Sequence, residues 1–274
     1  MGCLSNMSRE RDLENGFTLI ELLVVTSIIG ILAALLLAVL SKANAYAHST
    51  TCQNHLHQMG LALQMYVDEH QSKYPYYRGF PDPAYNNAVG ADNTAFWSAK
   101  LLPYYPLKWT DPTYHCPGYK GPIKGSEKTR RGYTYPTGSY AYNAKGVKAG
   151  DWMAAKELTL GLGGKIYLRS GTRVTTASEG QIEVPSEMFA IGESRWKAES
   201  GKGGTGYDYM QCGLIYVNRG FMAFDPARHG KNYNQLFCDG HVSAMSPWVL
   251  FNPKNTAAMW NYDHQPHPEF WPPF

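Results

Sequence analysis

The sequence predicts an α+β protein. One long N-terminal helix, apolar in its first half and amphipathic in its second, packs on a small antiparallel β-sheet with long Tyr/Gly/Pro-rich loops. Three observations predict this. Residues 17–40 are almost continuously apolar, and no proline follows them until Pro75. Beyond that run Leu56, Met59, Leu63, Tyr66 and Val67 recur at steps of three and four, the spacing of one helical face. Near the C-terminus, β-favouring runs flank Asp239-Gly240, a hairpin signal.

A helix over residues 17–40 rises about 36 Å at roughly 1.5 Å per residue, enough for a hydrocarbon core of roughly 30 Å. Thr18, Thr26 and Ser27 are tolerated in lipid because their hydroxyls bond back to the helix backbone. Glu21 is expected to lack such an internal partner and to need the interface or a cation. An ionised group at bilayer depth costs about 3 kcal/mol on the mildest scales, which marks it as functional. A secretory signal is excluded, because its apolar core spans only about 7–15 residues and is cut on its far side. The leader sets Arg9 and Arg11 against Glu10, Asp12 and Glu14, so it carries no positive-inside signal. Met1-Gly2-Cys3 is not a myristoylation start, since Asn6 stands where Ser or Thr is required.

Gly16-Phe17-Thr18-Leu19-Ile20-Glu21-Leu22-Leu23-Val24-Val25 resembles, residue by residue, the processing signal of type IV pilins and type II secretion pseudopilins. The resemblance implies that a prepilin peptidase cuts between Gly16 and Phe17 and methylates the new Phe17 amine. It implies that Glu21 pairs with the Phe17 ammonium of a neighbouring subunit, setting register and neutralising both charges. Ala38 stands where many relatives carry proline, so the helix has no built-in break there. The implied partners are the prepilin peptidase, other pilin or pseudopilin subunits and the inner membrane. The head then stands in the periplasm or on a surface filament.

The chain divides into a leader (1–16), a transmembrane assembly helix (17–40), an amphipathic continuation (41–72) and a globular head (73–274). Residues 52–66 and His115-Cys116-Pro117-Gly118 resemble a subset of large pseudopilin-like proteins. His229, nine residues and then Asp239-Gly240 resemble the H-X9-DG signature of certain prepilin-processed proteins. Residues 73–160 read as long loops with few regular elements, among them a short helix over 95–104 stopped by Pro103. Strands are expected over 188–193, 213–217, 234–238 and 241–245. The last two pair across a type I′ turn in which Asp239 and Gly240 both take positive φ.

Leader cleavage removes Cys3 and leaves Cys52, Cys116, Cys212 and Cys238, an even number suited to an oxidising compartment. The favoured pairings are Cys52–Cys116 and Cys212–Cys238, with free buried thiols as the alternative. The 20 tyrosines chiefly pack loops onto a sheet, ligand binding being the lesser reading. His48, His55, His57 and His70 scatter around the helix and read as a solvated face.

A net charge of +3 gives no nucleic-acid footprint. Gly-x-Ser-x-Gly, P-loop and His-Glu-x-x-His motifs are absent from the sequence. Gly161-Leu162-Gly163-Gly164-Lys165 reads as a turn. No catalytic residue, cofactor or resident metal is expected, and His229, Asp239 and Gly240 are assigned structural work, with metal binding as the lesser reading. The reading is a structural pilus or pseudopilus subunit. Its rivals are a membrane-tethered binding protein that never polymerises, and a tethered metal-dependent hydrolase using His229, Asp239 and His241, with Glu193 joining across strands.

Overall fold

The computed structural model describes residues 17–76, 96–106, 108–125, 128–129, 132–133, 136–147, 160–163, 165–167, 173–194, 196–199, 202–206, 209–212 and 228–271. The chain forms two compact units, Met1–Asn44 and Ala45–Phe274, and the long helix α1 (Leu19–Glu69) contributes to both. In the first unit the apolar side chains of α1 are exposed all round the helix, from Val25 at 45% to Leu19 at 79%. Thr26 and Ser27 donate to the carbonyls of Leu22 and Val24, as their hydroxyls predict.

Glu21 departs from its expectation. Its Oε2 accepts the Thr18 backbone N–H and the Thr18 hydroxyl, each at 2.8 Å, while its own N–H donates to Thr18 Oγ1 at 3.2 Å. Thr18 and Glu21 therefore form a capping box at the start of α1. The sequence reading missed it because the box lies at the helix start, where the first N–H groups lack intrahelical partners.

In the second unit the predicted stripe of α1 is buried, with Leu56, Met59 and Val67 all at 0% exposure. It covers one face of a five-stranded sheet made of β1 (Tyr140–Val147), β2 (Phe189–Glu193), β3 (Tyr209–Cys212), β4 (Tyr233–Phe237) and β5 (Val242–Met245). The strand order is β5-β4-β2-β1-β3. The first four are antiparallel neighbours, and β3 joins β1 in parallel at the edge. Among the described residues three two-stranded ribbons lie outside this sheet, one of them Trp196–Glu199 with Lys202–Gly206. The strand expected over 213–217 lies outside the described residues.

Both faces of the sheet are covered. Leu56 and Met59 of α1 pack in one cluster with Tyr140, Tyr142 and Leu236. On the other side Phe189, Tyr233 and Phe237 meet Leu250, Phe251 and Trp260 of the C-terminal segment. Two-sided cover explains why β2 and β4 are buried at every position instead of alternating. Each large side chain so buried contributes about 1.5–3 kcal/mol. The helix comes close enough because Gly60 has no side chain: a Cβ there would lie 2.8 Å from Leu236 Cδ1.

The 73–160 region corrects its expectation, since it supplies β1, the longest strand of the sheet. Its glycines and prolines punctuate the flanks, whereas Tyr140-Ala141-Tyr142 alternates two buried aromatics with a small residue. Asn143 then donates to the Phe189 and Trp260 carbonyls at 2.8 and 2.9 Å, tying β1 to β2 and to the C-terminal cover. The short helix is present as α2 (Trp97–Lys100), whose Trp97 stacks on Tyr142 at 5.5 Å between ring centroids. Leu160 and Leu162 donate to the Lys145 and Asn143 carbonyls, so the Gly161 segment is a turn laid against β1.

The β4–β5 hairpin is present, but its turn is not type I′. Gly240 has φ +91°, while Asp239 is not among the residues of positive φ. Asp239 Oδ1 instead accepts the His241 N–H at 3.1 Å, a side-chain turn that replaces the second positive φ.

Candidate functional site

Among the described residues, two places carry the chemistry considered for function. The first is the start of α1. Gly16 lies outside the described residues, and Phe17, the first described residue, is 71% exposed. Both capping bonds to Thr18 fall on Glu21 Oε2, so Glu21 Oε1 accepts no bond among the described residues. One carboxylate oxygen is thus committed to its own helix and the other faces outward.

The second place lies within the head, where Cys52, Cys116, Glu193 and His229 converge from four separate segments. One ligand atom from each lies within 4.8 Å of the others, and all four residues are buried. Cys52 comes from the buried stripe of α1. Cys116 follows a 3-10 turn (Pro112–Tyr114) capped by Asp111, whose carboxylate accepts the Thr113 N–H at 2.9 Å. The next residue, His115, anchors that loop. Ser139 N–H donates to its Nδ1 at 3.1 Å, so Nε2 carries the proton and donates to the Trp109 carbonyl at 2.6 Å. Burial pulls the His115 pKa down to about 4 and keeps the ring neutral. Ser139 Oγ accepts the Cys116 N–H at 2.8 Å and holds the backbone that carries the thiol.

Glu193 ends β2. Its Oε2 accepts the Asn234 N–H at 2.8 Å, and its Oε1 meets His229 Nε2 at 2.7 Å. The same nitrogen lies 3.2 Å from Cys116 Sγ. His229 reaches this position with φ 44° and ψ 44°, the left-handed region, followed by Gly230 at φ 66°. A non-glycine residue held there costs about 1–3 kcal/mol, which the surrounding contacts must impose. Arg228 lies behind the cluster, donating from Nη1 to the Ser194 carbonyl at 2.9 Å with its guanidinium over Tyr119 and Tyr233.

Burial and partners shape the charges of the cluster. Burial raises Cys52, and its hydrogen bond to Cys116 raises it further. For Cys116 burial acts upward, but bonds from Cys52 and His229 outweigh it and lower the thiol. Burial presses His229 down, yet Cys116 and Glu193 hold it up at about 9. Glu193 is pushed up by burial and pulled lower overall by His229 and Arg228.

The structure separates residues that the sequence grouped. His229 belongs to the buried cluster, whereas Asp239 and His241 bond to each other at 2.7 Å in the partly exposed hairpin turn. His229, Asp239 and His241 therefore do not form one constellation, and Glu193 joins His229 alone. Cys52 and Cys116 lie together as free thiols. Cys238 is also free and half-buried beside Tyr74, with the burial of its thiol pushing its pKa up to about 12, and the Cys212 side chain lies outside the described residues. Three of the helix histidines are not merely solvated: His55 meets the Tyr140 hydroxyl, His57 the Gly240 carbonyl and His70 the Tyr66 carbonyl. Sequence reading gave Arg228 no role; its position beside His229 was the one available signal.

Residues 11–37 match the family described as the prokaryotic N-terminal methylation motif. Residues 42–106 match a family described as a protein of unknown function, DUF1559. Neither family match reaches His229 or Asp239. Over 119 residues the chain is 32% identical to type II secretion system core protein G of Pseudomonas aeruginosa, covering 42% of this chain and 82% of that protein. No solved structure matches the chain. The chain belongs to the pilin-like family of type II secretion core protein G.

Proposed function

We propose that this protein is a structural subunit of a type IV pilus-like or type II secretion pseudopilus-like filament. It is made as a precursor and processed by a prepilin peptidase between Gly16 and Phe17. One observation carries the reading: the methylation motif opens a helix whose apolar residues from Leu19 to Leu40 stand exposed on every side. A helix apolar all round must be covered by lipid or by other helices. By length and composition α1 is able to cross a membrane, which supports an inner-membrane precursor with the head beyond it. The outward oxygen of Glu21 supplies the acceptor for a Phe17 ammonium of a neighbouring subunit. The work of the protein is structural, and the head presents its loops outside the bundle.

Mass spectrometry of the N-terminus of protein taken from its own membranes tests this. The expected terminus is N-methylated Phe17. A chain that keeps Met1 and the whole leader contradicts the reading.

A further inference from the structure

We propose that Cys52, Cys116, Glu193 and His229 form a structural binding site for a transition-metal dication, Zn²⁺ above all, which joins helix α1 to the sheet inside the head. The donor set is the first reason. Two sulfurs, an imidazole and a carboxylate suit zinc and other borderline-soft ions, and they do not suit Mg²⁺ or Ca²⁺. A zinc site with bonds of about 2.0–2.3 Å places its tetrahedral ligands roughly 3.3–3.8 Å apart. The present atoms, all within 4.8 Å, need only side-chain adjustments to meet that spacing.

The second reason is position. The ligands come from α1, from the loop after the Pro112–Tyr114 turn, from the end of β2 and from the segment before β4. Each is fixed by its own backbone or side-chain bonds, as a closed structural site requires. The left-handed backbone at His229 turns Nε2 into the cluster.

The third reason is charge. Two thiolates and the Glu193 carboxylate bring three negative charges into a buried space. A dication together with the Arg228 guanidinium behind it brings three positive ones, so the filled site is neutral where unbalanced charge is expensive. Zn²⁺ binds as the protons held on the two sulfurs and on His229 Nε2 leave to solvent, the imidazole keeping its Nδ1 proton, so uptake releases protons. A Cys52–Cys116 disulfide is the competing use of the two sulfurs, and it leaves Glu193 and His229 with no part in it.

The full chain, purified in detergent without air and stripped of metal, is titrated with Co²⁺ and then with Zn²⁺. The expected result is saturation at one Co²⁺ per chain, with a thiolate-to-cobalt charge-transfer band and intense tetrahedral d–d bands, all abolished by Zn²⁺. His229→Ala weakens binding at least about 100-fold, beyond the usual loss of an outer-sphere partner. Because a variant in this core risks misfolding, the wild-type chain decides. Chain isolated from its own membranes with thiols blocked at lysis is expected to contain Zn²⁺ and to lack a Cys52–Cys116 bond. Folded, reduced chain that gives no charge-transfer band overturns the proposal, and so does a native Cys52–Cys116 disulfide.

Discussion

Glu21 serves its own helix and presents an oxygen beyond it, and the two roles separate by substitution. Thr18→Val removes the hydroxyl of the capping box and should cost helix start stability of about 1 kcal/mol, with insertion and assembly kept. Glu21→Ala removes box and charge together. It is expected to insert as wild type yet fail to enter filaments, measured as subunit recovered in the sheared or detergent-resistant assembly fraction. Normal assembly of that variant counts against the pairing role. Gly161 tests a different residue-scale contact, because a Cβ there would lie 2.5 Å from the Gly146 backbone nitrogen. Backbone does not yield as a side-chain tip does, so Gly161→Ala should destabilise the head by about 1–3 kcal/mol. Thermal unfolding followed by tryptophan fluorescence checks it, and an unchanged midpoint refutes the close packing.

At the scale of elements, the α1 stripe and the β4–β5 hairpin were legible because their signals are local. The three- and four-residue recurrence of Leu56, Met59, Leu63 and Val67 sets the buried face whatever packs against it. Strand β1 was not legible, because its neighbours in the chain are rich in glycine and proline and its own burial depends on two covers from distant sequence. The turn type was misread for a related reason: the Asp239 side chain competes for the His241 N–H and makes a second positive φ unnecessary. The C-terminal cover has a pH-sensitive clasp. His267 lies 2.8 Å from Asp263 and 3.0 Å from Glu269. Partial burial lowers its pKa, but Glu269 and Asp263 outweigh that and raise it above the ordinary 6.5. A raised folded value gives stability that is complete below the unfolded value and fades as pH rises through the folded one. The effect is under about 1 kcal/mol, since the pair is partly exposed. Amide exchange over residues 263–271, corrected for intrinsic rate, should show protection falling as pH rises past the ordinary 6.5 of the free imidazole. Protection that does not change with pH contradicts the clasp.

On the scale of the whole molecule, the sequence located the buried cluster only in pieces. Cys52 and Cys116 read as a pair, and His229 read as part of a terminal signature, but their meeting is set by α1 crossing the sheet beside the end of β2. No spacing along the chain encodes that crossing. The assembly helix was the reverse case. Its continuous apolar run and single carboxylate state the problem of coverage directly, and the described residues show that the chain alone does not solve it. A subunit that bundles answers with other copies, and a solitary tethered protein answers with lipid. The most direct measurement places a photo-cross-linking amino acid at Leu32, 60% exposed, in chain expressed at its natural level in its own membranes. The account predicts a ladder of subunit cross-links through residues 17–40 that disappears in Glu21→Ala. Cross-links to lipid alone, at Leu32 and at every other position along that stretch, would contradict it.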